Sequence, residues 1–137
     1  MSTFNLTAHE LVFYDASGST IRARLASHSE LRLVSDTSDV PAHLSAWDVT
    51  DGHGVRVPVT YPQSFAGLAK TPMVAALWPN LTCRDVILVS KPVGQYLALH
   101  PDLCEAKVLG PNTGPKSVVL DAQGKTLGVR ELEMYKA

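Results

Sequence analysis

The stretch from Asp85 to Pro115, DVILVSKPVGQYLALHPDLCEAKVLGPNTGP, constrains the fold more than any other part of the chain. Val86-Ile87-Leu88-Val89 is its most uniformly apolar run, the pattern of a central strand covered on both faces. Ser90 is placed to cap a helix, and Pro92 suits the first helical position because its backbone angle is preset. Val93, Tyr96, Leu97 and His100 then recur at helical spacing, and Pro101 blocks continuation. Val108-Leu109 reads as a second strand, and the connection is long enough for a right-handed parallel crossover. Such a β-α-β unit binds ligands where the carboxyl ends of its strands meet the amino end of its helix.

The rest of the chain reads as hairpins. Leu11–Tyr14 and Thr20–Leu25 flank the turn-forming Asp15-Ala16-Ser17-Gly18-Ser19. Ile21, Ala23 and Leu25 alternate with Arg22 and Arg24, which predicts one buried face and one charged, solvated face. Leu31–Val34 is strand-like, and the polar run from Ser35 to Pro41 is a loop. Ala46–Val49 and Val55–Tyr61 around Asp51-Gly52-His53-Gly54 make a second hairpin, with Pro58 confined to an edge. From Pro62 to Cys83 the pattern weakens into an irregular excursion, with a helical turn or two over Met73–Trp78. Ser117–Leu120 and Thr126–Tyr135 form a last hairpin around Gly124, with a bulge expected at Arg130-Glu131 because Leu132 and Met134 fall out of phase with Leu127 and Val129. The expected fold is α+β: mostly antiparallel β hairpins, one β-α-β crossover and a single main helix. At 137 residues the whole chain, 1–137, has the length of one compact domain.

Composition narrows the function classes. A formal net charge of −1 argues against broad nucleic-acid binding, which needs an excess of Lys and Arg. No basic leader followed by an apolar run and no membrane-length apolar segment is visible, so a cytoplasmic protein with no membrane partner is expected. Cys83 and Cys104 lack metal or redox spacing, and histidines 9, 28, 43, 53 and 100 are scattered, so no metal and no cofactor is expected. The loop Gly110–Lys116 is neither a P-loop nor a dinucleotide glycine motif. No nucleophile elbow occurs either, so catalytic residues are not assigned and the chain reads as a binder more than an enzyme.

The candidate ligand-binding residues follow from the crossover. Ser90 and Lys91 at the helix start, with Asn112, Thr113 and Lys116 in the glycine- and proline-framed loop, combine backbone N–H groups, hydroxyls and ammonium groups suited to a phosphate or carboxylate. Arg130 joins them if the bulge turns it inward, and His9 falls where a loop can meet the same sheet end. The plainer alternative is that Ser-x-Pro is a helix entry, Pro-Asn-Thr-Gly-Pro a rigid turn and His9 a structural histidine.

Asn5-Leu6-Thr7-Ala8-His9, Val57-Pro58-Val59, the strand from Val86 into Ser90, and Pro111–Pro115 with Gly124 and Gly128-Val129-Arg130 together resemble a family of small uncharacterised bacteriophage and prophage proteins. That family favours Asn-Leu-Thr-Pro-His near its start and Val-Arg-Asp before the final turn. Here Ala8 stands for the proline and Leu120 for the arginine, and Ala69–Cys83 looks like an insertion. The resemblance implies a viral or mobile-element setting rather than a mechanism. Within it, the leading expectation is a module sequestering a small anionic or nucleotide-like ligand, such as a nucleotide-type immune signal in the host cytoplasm. An interaction module that inhibits a host factor is the alternative, and a small hydrolase using His9 the third. Edge strands and a modest core favour a homo-oligomer.

Overall fold

The computed structural model describes residues 2–35, 46–49, 54–58 and 65–137. Along the chain run β1 (Thr3–Asn5), β2 (Leu11–Tyr14), β3 (Ile21–Leu25), β4 (Leu31–Ser35), β5 (Ala46–Val49), β6 (Val55–Pro58) and β7 (Phe65–Lys70). They are followed by α1 (Pro72–Leu77), β8 (Val86–Leu88), α2 (Lys91–Leu99), β9 (Lys107–Pro111), β10 (Val118–Leu120), β11 (Thr126–Val129) and β12 (Leu132–Lys136). The fold is α+β with mixed sheets. Packing separates a first unit, residues 1–32 and 68–137, from a second, residues 33–67. In the second, β5 and β6 pair antiparallel, Ala46 opposite Pro58 and Val49 opposite Val55. The expected turn at 51–53, the polar loop at 36–41 and residues 59–61 lie outside the described residues.

The first sheet has the order β1-β8-β9-β12. Its first three strands are parallel, with Asn5 opposite Leu88 and Leu88 opposite Leu109. The crossover from β8 through α2 to β9 is the unit expected from the sequence. Helix α2 packs on β9 and β12, and Val93 and Leu97 are buried along with Ile87 and Val108. Burying side chains of this size contributes about 1.5–3 kcal/mol each, so the centre of the core lies under this helix. Close approach is possible because Gly94 on α2 and Gly110 on β9 both face the ring of Tyr135 on β12, where a methyl group at either position would collide with it.

The second sheet has the order β10-β11-β2-β3. Its outer pairs are antiparallel hairpins, and its inner pair, β11 with β2, is parallel at Val129 opposite Phe13. The structure corrects the sequence expectation at three places here and in the excursion. The chain does not bulge at Arg130-Glu131 within one strand; it leaves the second sheet there and enters the first as β12, antiparallel to β9. Leu132 and Met134 are out of phase because they belong to a different sheet. The buried Ser117 hydroxyl accepts from the backbone N–H groups of Arg130, at 3.3 Å, and Glu131, at 3.1 Å, so the break leaves neither donor unpaired. Strand β3 is open on both faces, since Ile21 and Ala23 are exposed like Arg22 and Arg24. Finally, Phe65–Lys70 is a strand paired with β4 rather than an irregular excursion. Its Ala- and Gly-containing sequence carries little β-branched signal, so tertiary pairing decides it. The helical turn beyond it is α1, capped by Thr71, whose hydroxyl accepts from the Val74 N–H at 3.3 Å. No described helix is long and apolar enough to cross a membrane.

Candidate functional site

Three parallel strands, β1, β8 and β9, release their chains at the same end of the first sheet, into the loop at Leu6–His9, the Ser90-Lys91 helix entry and the Pro111–Thr113 loop. The first of these loops is fixed by Asn5. Its side chain is almost fully buried. The Nδ2 group donates to the carbonyls of His9 and Leu25, both at 2.9 Å. Its Oδ1 accepts from the Thr7 N–H at 3.0 Å and the Thr7 hydroxyl at 2.6 Å. Backbone bonds from Leu6 N–H to the Leu88 carbonyl and from Leu31 N–H to the Leu6 carbonyl hold the loop against the sheet. The segment from Asn5 to His9 thus forms a loop in which Asn5 and Leu6 are buried and His9 is exposed.

Between the three loops lies a cavity of about 310 Å³. Thr7, Ala8 and His9 line one wall, Ser90, Lys91 and Thr113 another, and Leu11, Leu31 and Pro111 give it an apolar floor. Ser90 precedes α2 but its side chain makes no cap bond, and no acidic residue occupies the first turn. The positive end of the helix dipole therefore has neither a side-chain cap nor an acidic side chain from its own first turn. Glu30 also lines the cavity, but it is bound to Arg32 at 2.7 Å.

Four of the residues singled out from sequence, His9, Ser90, Lys91 and Thr113, meet at this cavity. Three do not. The Asn112 carboxamide turns back on its own loop, accepting from the Gly114 N–H at 2.9 Å. Lys116 is exposed, and its carbonyl accepts from Arg130 at 3.2 Å. Arg130 donates also to the Val118 carbonyl at 3.3 Å and packs its guanidinium against Gly18, whose φ of 74° and lack of Cβ make room for it. Because the chain changes sheets at Arg130, its side chain staples β10 to the Asp15–Thr20 turn region instead of turning toward Ser90. Comparison with family models, with curated proteins and with solved structures finds no match.

A second cavity, of about 540 Å³, shares His9, Leu11, Pro111 and Thr113 with the first and extends along β2 and β11 past Val12, Leu127 and Lys125. Sequence reasoning missed this extension, as it missed Glu30 and Leu31. Their approach depends on the parallel pairing of β11 with β2 and on the Leu31–Leu6 backbone bond, contacts between segments far apart in the chain that no local pattern encodes. Away from this site, Cys104 is buried, and burial pushes its thiol pKa up. Among the described residues no carboxylate is hydrogen-bonded to the His9 ring, and no group of His, Cys, Asp and Glu is arranged to hold a metal ion.

Proposed function

We propose that this chain is a small binding protein that takes up an anionic, nucleotide-like ligand and does not transform it. The observation that carries this is the convergence of the β1, β8 and β9 loops on one cavity in which the uncapped start of α2, Ser90, Lys91, Thr113 and His9 stand together over an apolar floor. Helix N–H groups, a lysine and hydroxyls match a phosphate, and the apolar floor matches a nucleoside. In the phage or prophage setting suggested by the resemblance, such a protein sequesters a nucleotide-type immune signal in the host cytoplasm. Titration calorimetry against AMP, cyclic nucleotides and ADP-ribose tests this. Saturable binding that Lys91→Ala weakens about tenfold or more is expected, in line with losing one charge-assisted hydrogen bond. No binding to any of them refutes the proposal.

One observation favours a second role, as an interaction module. Leu132 and Met134 expose apolar side chains on β12, which is the edge of the first sheet. Light scattering over a concentration series separates a homo-oligomer from a monomer, and Met134→Lys should abolish association through this edge. Hydrolysis with His9 as base has less support, since nothing described orients its ring toward a nucleophile.

A further inference from the structure

The two cavities are not equivalent halves. The first ends at Lys91 and the start of α2, the second at Lys125 in the turn before β11, and they join at His9 and Leu11. Both glutamates along this cleft are neutralised within the protein: Glu10 is paired with Arg24 at 2.9 Å and Glu30 with Arg32 at 2.7 Å. Lys91 and Lys125 have no ion-pair partner among the described residues. Between these two lysines the lining is mostly apolar, with Leu11, Pro111, Val12 and Leu127, and its polar members are His9, Thr113 and Thr126. The cleft therefore carries a lysine at each end and a mostly apolar lining in the middle, and its volumes of about 310 and 540 Å³ fall in the range of small-molecule sites.

From this charge pattern, and resting on the anion-binding reading of the first cavity, we infer that the ligand class is a dinucleotide whose two phosphates are separated by a nucleoside. One phosphate sits at Lys91 and the start of α2, the intervening nucleoside lies on Leu11 and Leu127, and the second phosphate meets Lys125. A pyrophosphate, with both charges adjacent, satisfies only one end. Because Lys125 is exposed in a turn and its backbone alone bonds to Asp121, its replacement leaves the fold intact.

Calorimetry with AMP, ADP-ribose and the 5′-phosphorylated linear dinucleotide pApA distinguishes these outcomes. The dinucleotide should bind about tenfold more tightly than AMP, which corresponds to about 1.4 kcal/mol. Lys125→Ala should remove that advantage while leaving AMP and ADP-ribose unchanged, and Lys125→Arg should retain it. If AMP binds in a Lys91-dependent way but pApA gains nothing, or if Lys125→Ala weakens all three ligands alike, the two-ended cleft is wrong while anion binding stands. If none of the three binds, anion binding itself falls.

Discussion

Replacing Asn5 with alanine should be among the most damaging single changes in the protein, although the residue is polar and touches no ligand. Its carboxamide is 1% exposed and uses both donors and its acceptor oxygen within the chain, on His9, Leu25 and Thr7. Each such bond contributes roughly 0.5–1.5 kcal/mol net, and buried partners left unmatched cost more than the average. The three bonds other than that from the Thr7 hydroxyl, which can turn to the His9 carbonyl at 3.0 Å, then amount to about 2–4 kcal/mol. That is a large share of the roughly 5–15 kcal/mol typical of a domain. At about 3–5 °C per kcal/mol for a chain of this size, the midpoint should fall by roughly 6–20 °C in a thermal scan. Asn5→Asp sharpens the test. It retains the acceptor toward Thr7 but turns a carboxylate toward two carbonyls, so at neutral pH it should be at least as unstable as alanine. A carboxyl disfavoured in its charged form has a raised pKa in the folded state, so this variant should recover stability relative to Asn5 as the pH falls and the group protonates. An Asn5→Ala protein within about 0.5 kcal/mol of the parent would falsify the assignment of Asn5 as the loop's structural centre.

Ser117→Ala removes the acceptor of the Glu131 N–H at the change of sheets, while the Arg130 N–H keeps the Ser117 carbonyl at 2.8 Å, and it should cost about 1–3 kcal/mol in chemical denaturation, whereas a bulge remaining in one sheet would be insensitive to it. Gly94→Ala drives a methyl into the Tyr135 ring and should destabilise by about 1–3 kcal/mol, with Tyr135→Leu in the same chain recovering most of the loss; equal effects in both backgrounds would rule out the contact. Burial, with the Glu133 charge beside it, pushes the Tyr135 phenol up to about 12. An acid with a raised folded pKa adds stability that is complete below the unfolded value of about 10 and is lost as pH rises toward the folded one, so alkaline denaturation should be shallower in Tyr135→Phe, and one late-titrating phenol should vanish from the ultraviolet titration. Asp85, held by the Thr82 N–H, and Asp15, held by the Ser17 hydroxyl, have pKa values lowered from 3.8, so their contribution is present above that value and lost as pH falls below it. Stability measured below about pH 4 should fall less steeply in Asp85→Asn combined with Asp15→Asn, and parallel acid limbs would contradict this.

What the sequence determined by itself is the part whose forces are local. The apolar run Val86–Val89, the proline-opened helix and the return at Val108 specify the β8-α2-β9 crossover because period, the preset proline angle and chain length act within about 25 residues. The same locality made it legible that Ser90, Lys91 and Thr113 lie together at one end of that crossover, where they line one cavity. His9 was legible only as a position in a loop. Tertiary structure decided that it reaches the cavity, because Asn5 ties its loop to β3 through Leu25 and Leu6 joins β8 to Leu31. Tertiary structure likewise sent Arg130 away from the site. A one-residue change of phase in a strand pattern reads identically whether the strand bulges or passes to another sheet. The choice was made by Ser117, which lies 13 and 14 residues upstream: its carbonyl holds the Arg130 N–H and its hydroxyl takes up the Glu131 N–H, allowing β12 to pair with β9.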